Sequence, residues 1–165
     1  MTRPSGAAWS AGAGGAALGR MADALRGPVV GIGVDAVDPE RFGQVLARRP
    51  RLAERLFTPA ERDCARRGAD PVARLSTRFA AKEAAWKALG VGLGGVALHD
   101  VEVVGGGDRA PSLSLHGRAA ALATSAGVGR WHVSLTHTDR VAMAVVLAEG
   151  STPAASGATG SSRSG

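Results

Sequence analysis

Residues 70–90 read DPVARLSTRFAAKEAAWKALG, the longest helical signal in the chain. Asp70 is suited to N-cap the helix, Pro71 to its first position, and Gly90 to the left-handed turn just past its end. Leu75, Phe79, Trp86 and Leu89 supply large apolar anchors, while Ala80, Ala81, Ala84 and Ala85 let another element approach closely. Glu83 and Lys87 stand four residues apart, so they share a face one turn apart, near Phe79. By spacing alone they read as an exposed ion pair stabilising the helix by about 0.3–0.5 kcal/mol.

Upstream, Thr58-Pro59-Ala60-Glu61 is a capping box that starts a short helix running to about Arg67, with Gly68 closing it. Asp38-Pro39 opens another helix through RFGQVLARR, which Pro50 is expected to end. Val29 to Val37 is rich in β-branched residues and glycine and reads as a strand. Alternation puts Gly31, Gly33, Asp35 and Val37 on one face and Val30, Ile32, Val34 and Ala36 on the other. The second set is the expected core face, and the glycine-lined first face leaves room for a ligand beside Asp35. Downstream, Leu98–Val104 and Ser112–Leu115 read as strands around GGGDRAP, and Arg118–Ala126 as a short helix. Trp131–Thr136 and Val141–Leu147 form a final hairpin turned at residues 137–140. The sum is an α+β domain, helices packed on a mainly antiparallel sheet, with no internal repeat.

Outside this core, residues 1–27 are Gly/Ala-rich and residues 150–165 Gly/Ser-rich. Neither has the periodic large apolar residues that offset ordering entropy, so flexible tails are expected around a domain at 28–149. The first tail lacks the leucine-rich run of a signal peptide, and Met21 offers an alternative start. A single cysteine excludes an internal disulfide and fits a cytoplasmic protein. Cys64 reads as an incidental surface or edge thiol. No apolar run is long enough for a membrane helix. The net charge of +6 is concentrated: residues 41–87 hold 12 Lys/Arg against 5 Asp/Glu. Such a surface attracts an acidic partner. Nucleic acid is disfavoured, because no helix-turn-helix, zinc-finger or RNP-like pattern accompanies the charge.

The candidate chemistry begins with Asp35, since Asp is depleted in strands. Ser134-Leu135-Thr136-His137-Thr138 offers hydroxyl and imidazole donors at a strand end, a workable phosphate-binding set. No G-x-S-x-G elbow, P-loop or Cys/His zinc spacing occurs. Two carboxylates, a lysine and phosphate donors suit transfer of a phosphoryl-linked group, with Mg²⁺ held by the carboxylates and by phosphate oxygens.

GIGVDAVDPERF resembles the first signature of the holo-acyl-carrier-protein synthases, and RFAAKEAAWKALG resembles the second, the KExxxK helix of phosphopantetheinyl transferases. FTPAER and HVSLTHTDRVAMAVVLAE are similar to the intervening and closing segments, in the right order. The resemblance implies transfer of 4′-phosphopantetheine from coenzyme A to a serine of an apo acyl carrier protein, releasing 3′,5′-ADP. It implies Mg²⁺ on Asp35 and Glu83, and Lys87 on the diphosphate, where it neutralises charge and can protonate the leaving phosphate. Glu83 or a water held by a carboxylate would accept the serine proton. Lys82, Lys87, Ser134 and His137 match coenzyme-A-binding positions, and Arg41 a position that docks an acidic carrier protein. Small synthases of this kind are homotrimers with interfacial active sites, without nucleic-acid or membrane partners. A polyketide or peptide carrier as target, or a binding module without turnover, are the alternatives to a fatty-acid carrier.

Overall fold

The structure, a computed structural model, describes residue 25 and residues 27–92, 95–106 and 109–151. The expected tails lie almost entirely outside the described residues. Strand β1 (Val29–Val37) leads into helices α1 (Pro39–Arg48), α2 (Pro50–Leu56), α3 (Pro59–Arg66) and α4 (Pro71–Ala88). A 3₁₀ turn at Leu98–Asp100 precedes β2 (Val101–Val104) and β3 (Ser112–Leu115), then α5 (Gly117–Ser125) and the strands β4 (Val128–His137) and β5 (Ala142–Gly150). The main sheet has the order β1–β5–β4 and β2 pairs with β3, every pairing antiparallel. The α+β architecture expected from sequence is the one observed. Among the described residues no helix is long and apolar enough to cross a membrane.

Helix α4 spans the sheet, and local chemistry sets both its ends. The Asp70 carboxylate accepts the Ala73 N–H at 2.9 Å, and Pro71 occupies the first turn. At the far end Gly90 takes φ +68°, the Gly90 N–H bonds the Lys87 carbonyl, and the Val91 N–H bonds that of Trp86. Ala80, Ala81, Ala84 and Ala85 are fully buried and pack in one cluster with Ala144, Val146 and Ala148 of β5. Small residues on both sides bring helix and sheet close together.

That closeness corrects the expected facing of β1. Gly33 and Gly31 lie under the helix: a Cβ on Gly33 would collide with the Ala84 carbonyl oxygen, and one on Gly31 with that of Ala88. Their face is therefore the core face. Val30, Ile32 and Val34, expected inside, are instead exposed by 39, 61 and 47%. The alternation was legible, but residue size pointed to the wrong side, because this core is built from alanine and glycine.

Pro50 does not simply end a helix; it takes the first position of α2, which the sequence reading did not separate. Residues 98–100 form the 3₁₀ turn rather than strand, and β4 and β5 extend beyond the expected limits. In α3 the capping box is present, Glu61 Oε2 accepting the Thr58 N–H at 2.9 Å. Glu61 also accepts the Val103 N–H and pairs with Lys82 at 2.7 Å. This fully buried ion pair ties α3, β2 and α4 together.

Candidate active site

Asp35 sits on the helix-facing side of β1, opposite Ala144 of β5. Lys87, from the last turn of α4, donates one hydrogen bond to Asp35 Oδ1 at 2.8 Å and another to the Val34 carbonyl at 2.9 Å. The ion pair is thus between helix and strand, not along the helix as the four-residue spacing suggested. Asp35 is largely enclosed, its side chain 15% exposed, while the Lys87 side chain remains half-exposed.

Glu83 lies one turn before Lys87 and is partly buried. Its carboxyl is held above the ordinary glutamate range, first by burial and then by the negative charge of Asp35, with Lys87 acting in the opposite direction. The two carboxylates therefore feel one another, and added positive charge between them would relieve both desolvation and repulsion. An oxygen-only set of two carboxylates fits Mg²⁺, which takes one or two protein ligands and leaves its other positions to water and phosphate oxygens. No larger group of three potential ligands occurs among the described residues.

Aromatic packing fixes the neighbouring wall. Phe79 of α4 lies 5.1 Å from Phe42 of α1, and Phe42 meets Phe57 edge-on at 6.3 Å. Arg41, next to Phe42, is exposed in the first turn of α1, where its backbone N–H is capped by Asp38.

The other candidate residues are placed elsewhere. Lys82 has no exposed side-chain surface: it pairs with Glu61, donates to the Leu98 carbonyl at 2.9 Å and lies over the Phe57 ring. Its ammonium belongs to the core, and this corrects the expectation of a coenzyme A contact. Ser134 is exposed on the sheet face turned away from α4, in a row with Val145 and Val34. His137 faces the opposite way and lines a cavity of about 420 Å³ with Arg74, Thr77, Gly106, Arg109 and Leu135. Arg74 and Glu83 are nine residues apart on one helix, a half-turn beyond two full turns, so they project from opposite sides of α4. One chain therefore presents two separated half-sites, an acidic one against β1 and a basic one beside β4.

A family model described as the 4′-phosphopantetheinyl transferase superfamily matches residues 31–146. This chain belongs to that superfamily. The transferase-superfamily chain is an enzyme, and the curated relatives it matches align over nearly their whole length with about three quarters of it. A holo-[acyl-carrier-protein] synthase of Frankia casuarinae is 51% identical over 121 residues, covering 73% of this chain and 98% of the relative. Among solved structures, the synthase of Neisseria meningitidis is 30% identical with a TM-score of 0.66, covering 74% of this chain and 99% of that one. That of Bacillus anthracis, in complex with CoA (3′,5′-ADP), is 32% identical with a TM-score of 0.61, covering 74% and 98%.

For this superfamily member, sequence reasoning missed Arg74 and Arg109. The excess of arginine was visible, but only the fold shows which of them converge on one cavity. Arg109 in particular stands in a glycine-rich stretch that offers no helical or strand spacing to locate it.

Proposed function

We propose that this enzyme transfers 4′-phosphopantetheine from coenzyme A to a serine hydroxyl of an apo acyl carrier protein, releasing 3′,5′-ADP, with Mg²⁺ as cofactor. The observation that carries the reading is the meeting of Asp35, Glu83 and Lys87 between β1 and α4. The relatives named above are synthases of this kind, and one solved relative is in complex with CoA (3′,5′-ADP).

Asp35 and Glu83 would hold the metal, which when bound supplies positive charge to the diphosphate. Lys87 is held by the Asp35 carboxylate and the Val34 carbonyl in a position to place a fixed ammonium on the same phosphates. Such preorganised charge is what phosphoryl-type transfer requires, because the leaving diphosphate gains negative charge as the bond breaks. Glu83, or a water held by the carboxylates, would accept the proton of the incoming serine. Lys87 is the donor placed to neutralise the departing phosphate.

His137, Arg74 and Arg109 line a cavity suited to the phosphorylated nucleoside end of coenzyme A. It lies across α4 from the carboxylates, so one extended ligand reaches both half-sites only if a neighbouring chain supplies one of them. The apolar row Val30, Ile32 and Val34, exposed on the sheet, fits such self-association. A homotrimer with interfacial sites is the assembly we propose, and Ser134 on that same face would lie within the contact. Arg41 and the exposed arginines of α1 and α2 supply a basic surface for an acidic carrier protein. The single cysteine fits a cytoplasmic reaction.

Mass spectrometry of apo carrier protein incubated with coenzyme A, Mg²⁺ and the enzyme tests the proposal. One phosphopantetheine should be added to the carrier serine. Folded enzyme that modifies none of a fatty-acid, polyketide and peptide carrier would refute it.

A further inference from the structure

The chain leaving β2 turns through Gly105 and Gly106, which take φ +77° and +76°. Two adjacent glycines leave the backbone free to adopt many conformations, so contacts from elsewhere must select this one. The Gly106 N–H donates to the Arg109 carbonyl at 3.0 Å, and a Cβ on Gly105 would meet the Ala110 carbonyl oxygen at 2.7 Å. Beneath the corner lies Arg78 of α4, a residue only 1% exposed. Its Nη2 donates to the Gly105 carbonyl at 2.6 Å and to Cys64 Sγ at 3.0 Å, and its Nη1 to the Arg74 carbonyl at 3.2 Å. Gly106 is seated on the same guanidinium, since a Cβ there would stand 3.6 Å from Nη2.

Such a brace is costly to keep inside. Burial holds the Arg78 guanidinium below its ordinary range, and its Nε is buried without an acceptor. Among the described residues no carboxylate lies within ion-pair distance of it, the nearby Glu61 being paired with Lys82. A buried charge without an opposite charge costs stability, so packing alone gives no reason for a guanidinium here. What an apolar side chain could not supply is a hydrogen bond to a particular carbonyl, strengthened by the charge of the donor. The Arg74 carbonyl belongs to α4 itself, and Cys64 Sγ is a weak acceptor on α3. The bond to Gly105 alone reaches the glycine corner. Its position matters because Gly106 and Arg109 line the cavity of about 420 Å³ that holds His137, Arg74 and Thr77. Part of that wall is thus fixed from the core, by a residue that does not itself line the cavity.

We propose that Arg78 is a positioning residue for this cavity, holding the Gly105–Gly106 corner so that Gly106 and Arg109 are in place before the phosphorylated nucleoside end of coenzyme A arrives. The nature of the ligand rests on the function proposed above; the brace does not. A preformed wall spares the ligand the entropy of ordering two glycines, so Arg78 acts on the affinity for coenzyme A. Asp35, Glu83 and Lys87 lie against β1, and none of the hydrogen bonds of Arg78 reaches them. The rate at saturating coenzyme A is therefore left to those three residues.

Two variants of the full chain test this: Arg78→Met removes the bond to Gly105, and Arg78→Lys keeps one cationic donor. In steady-state kinetics Arg78→Met should raise the KM for coenzyme A about tenfold, with kcat within about twofold of wild type and the KM for carrier protein unchanged. Arg78→Lys should recover part of the loss. Calorimetry with 3′,5′-ADP should show the same weakening. A merely structural arginine gives the opposite split, fewer folded molecules lowering kcat while the KM for coenzyme A stays put. That split, or no change in either constant, would overturn the proposal. Hydrogen exchange at the Gly106 amide reads the brace without any substrate: slow in ligand-free wild type and about tenfold faster in Arg78→Met, with the amides of β5 unaltered. If both variants prove too unstable to assay, the wild-type amide decides. Exchange as fast as that of an unstructured peptide overturns the brace, and protection upholds it. Should wild type bind neither coenzyme A nor 3′,5′-ADP, the identity of the ligand falls, and the exchange result still judges the brace.

Discussion

Glu83 carries opposite demands for folding and for chemistry. Its proton affinity in the folded chain is raised by burial and by Asp35, so the native state binds that proton more tightly than the unfolded chain does. The ionised group therefore costs stability at neutral pH. That cost begins to lift as pH falls through the raised value and is gone below the unfolded one. Glu83→Gln is expected to melt a few degrees higher at pH 7, a gain that thermal denaturation should see vanish in acid. The same variant should lose turnover by about 100-fold or more, as removal of a metal ligand or a general base does, with circular dichroism unchanged. Near-normal turnover would remove Glu83 from the site. In metal-free wild type, the pH dependence of unfolding should place this carboxyl above the ordinary glutamate range, and Mg²⁺ should lower it. Both residues of the KExxxK spacing were legible, but their relation was not: helical periodicity pairs Glu83 with Lys87, whereas the strand carbonyl and Asp35 attract the lysine across the fold. Lys82 shows the same limit, since nothing in its spacing announces a buried partner at Glu61.

Between elements, the contact of α4 with β1 is the tightest constraint on the site. Gly33→Ala would drive a methyl group into the Ala84 carbonyl, which only a shift of the helix can relieve. A loss of about 1–3 kcal/mol, typical of overpacking, is expected in urea unfolding. Activity should suffer beyond the stability loss, because the same shift separates Asp35 from Glu83 and Lys87. The Glu61–Lys82 pair makes a different prediction. Lys82→Ala leaves a buried carboxylate without its cation, at about 3–5 kcal/mol, and should sharply lower the unfolding midpoint. The ends of these helices were readable: Asp38, Thr58 and Asp70 each accept the backbone N–H that their cap positions imply. The inward face of β1 was not, because alternation defines two faces without saying which partner each meets. Here the partner is an alanine-rich helix that accepts only glycine beneath it.

Over the whole molecule, charge and apolarity are segregated. The exposed row of Val30, Ile32 and Val34 predicts that Ile32→Asp shifts the protein toward monomer in sedimentation, with its secondary structure intact and its turnover lost. If half-sites are shared between chains, mixing two inactive variants, Glu83→Gln and His137→Ala, should restore part of the activity through hybrid sites. Failure of mixed subunits to recover any turnover would place both halves within one chain. Arg41→Glu on the basic α1 surface should weaken carrier-protein binding several-fold while leaving coenzyme A binding unchanged; calorimetry of each partner separates the two. Charge segregation was visible in the sequence as the arginine excess of residues 41–87, whereas the apolar sheet face was read as interior. Finally, α4 is both the wall of the core and the carrier of Glu83 and Lys87. Its central amides should exchange with deuterium only when the entire domain opens. Glu83 and Lys87 then have no private route to disorder, and denaturant should release them only as the whole domain unfolds.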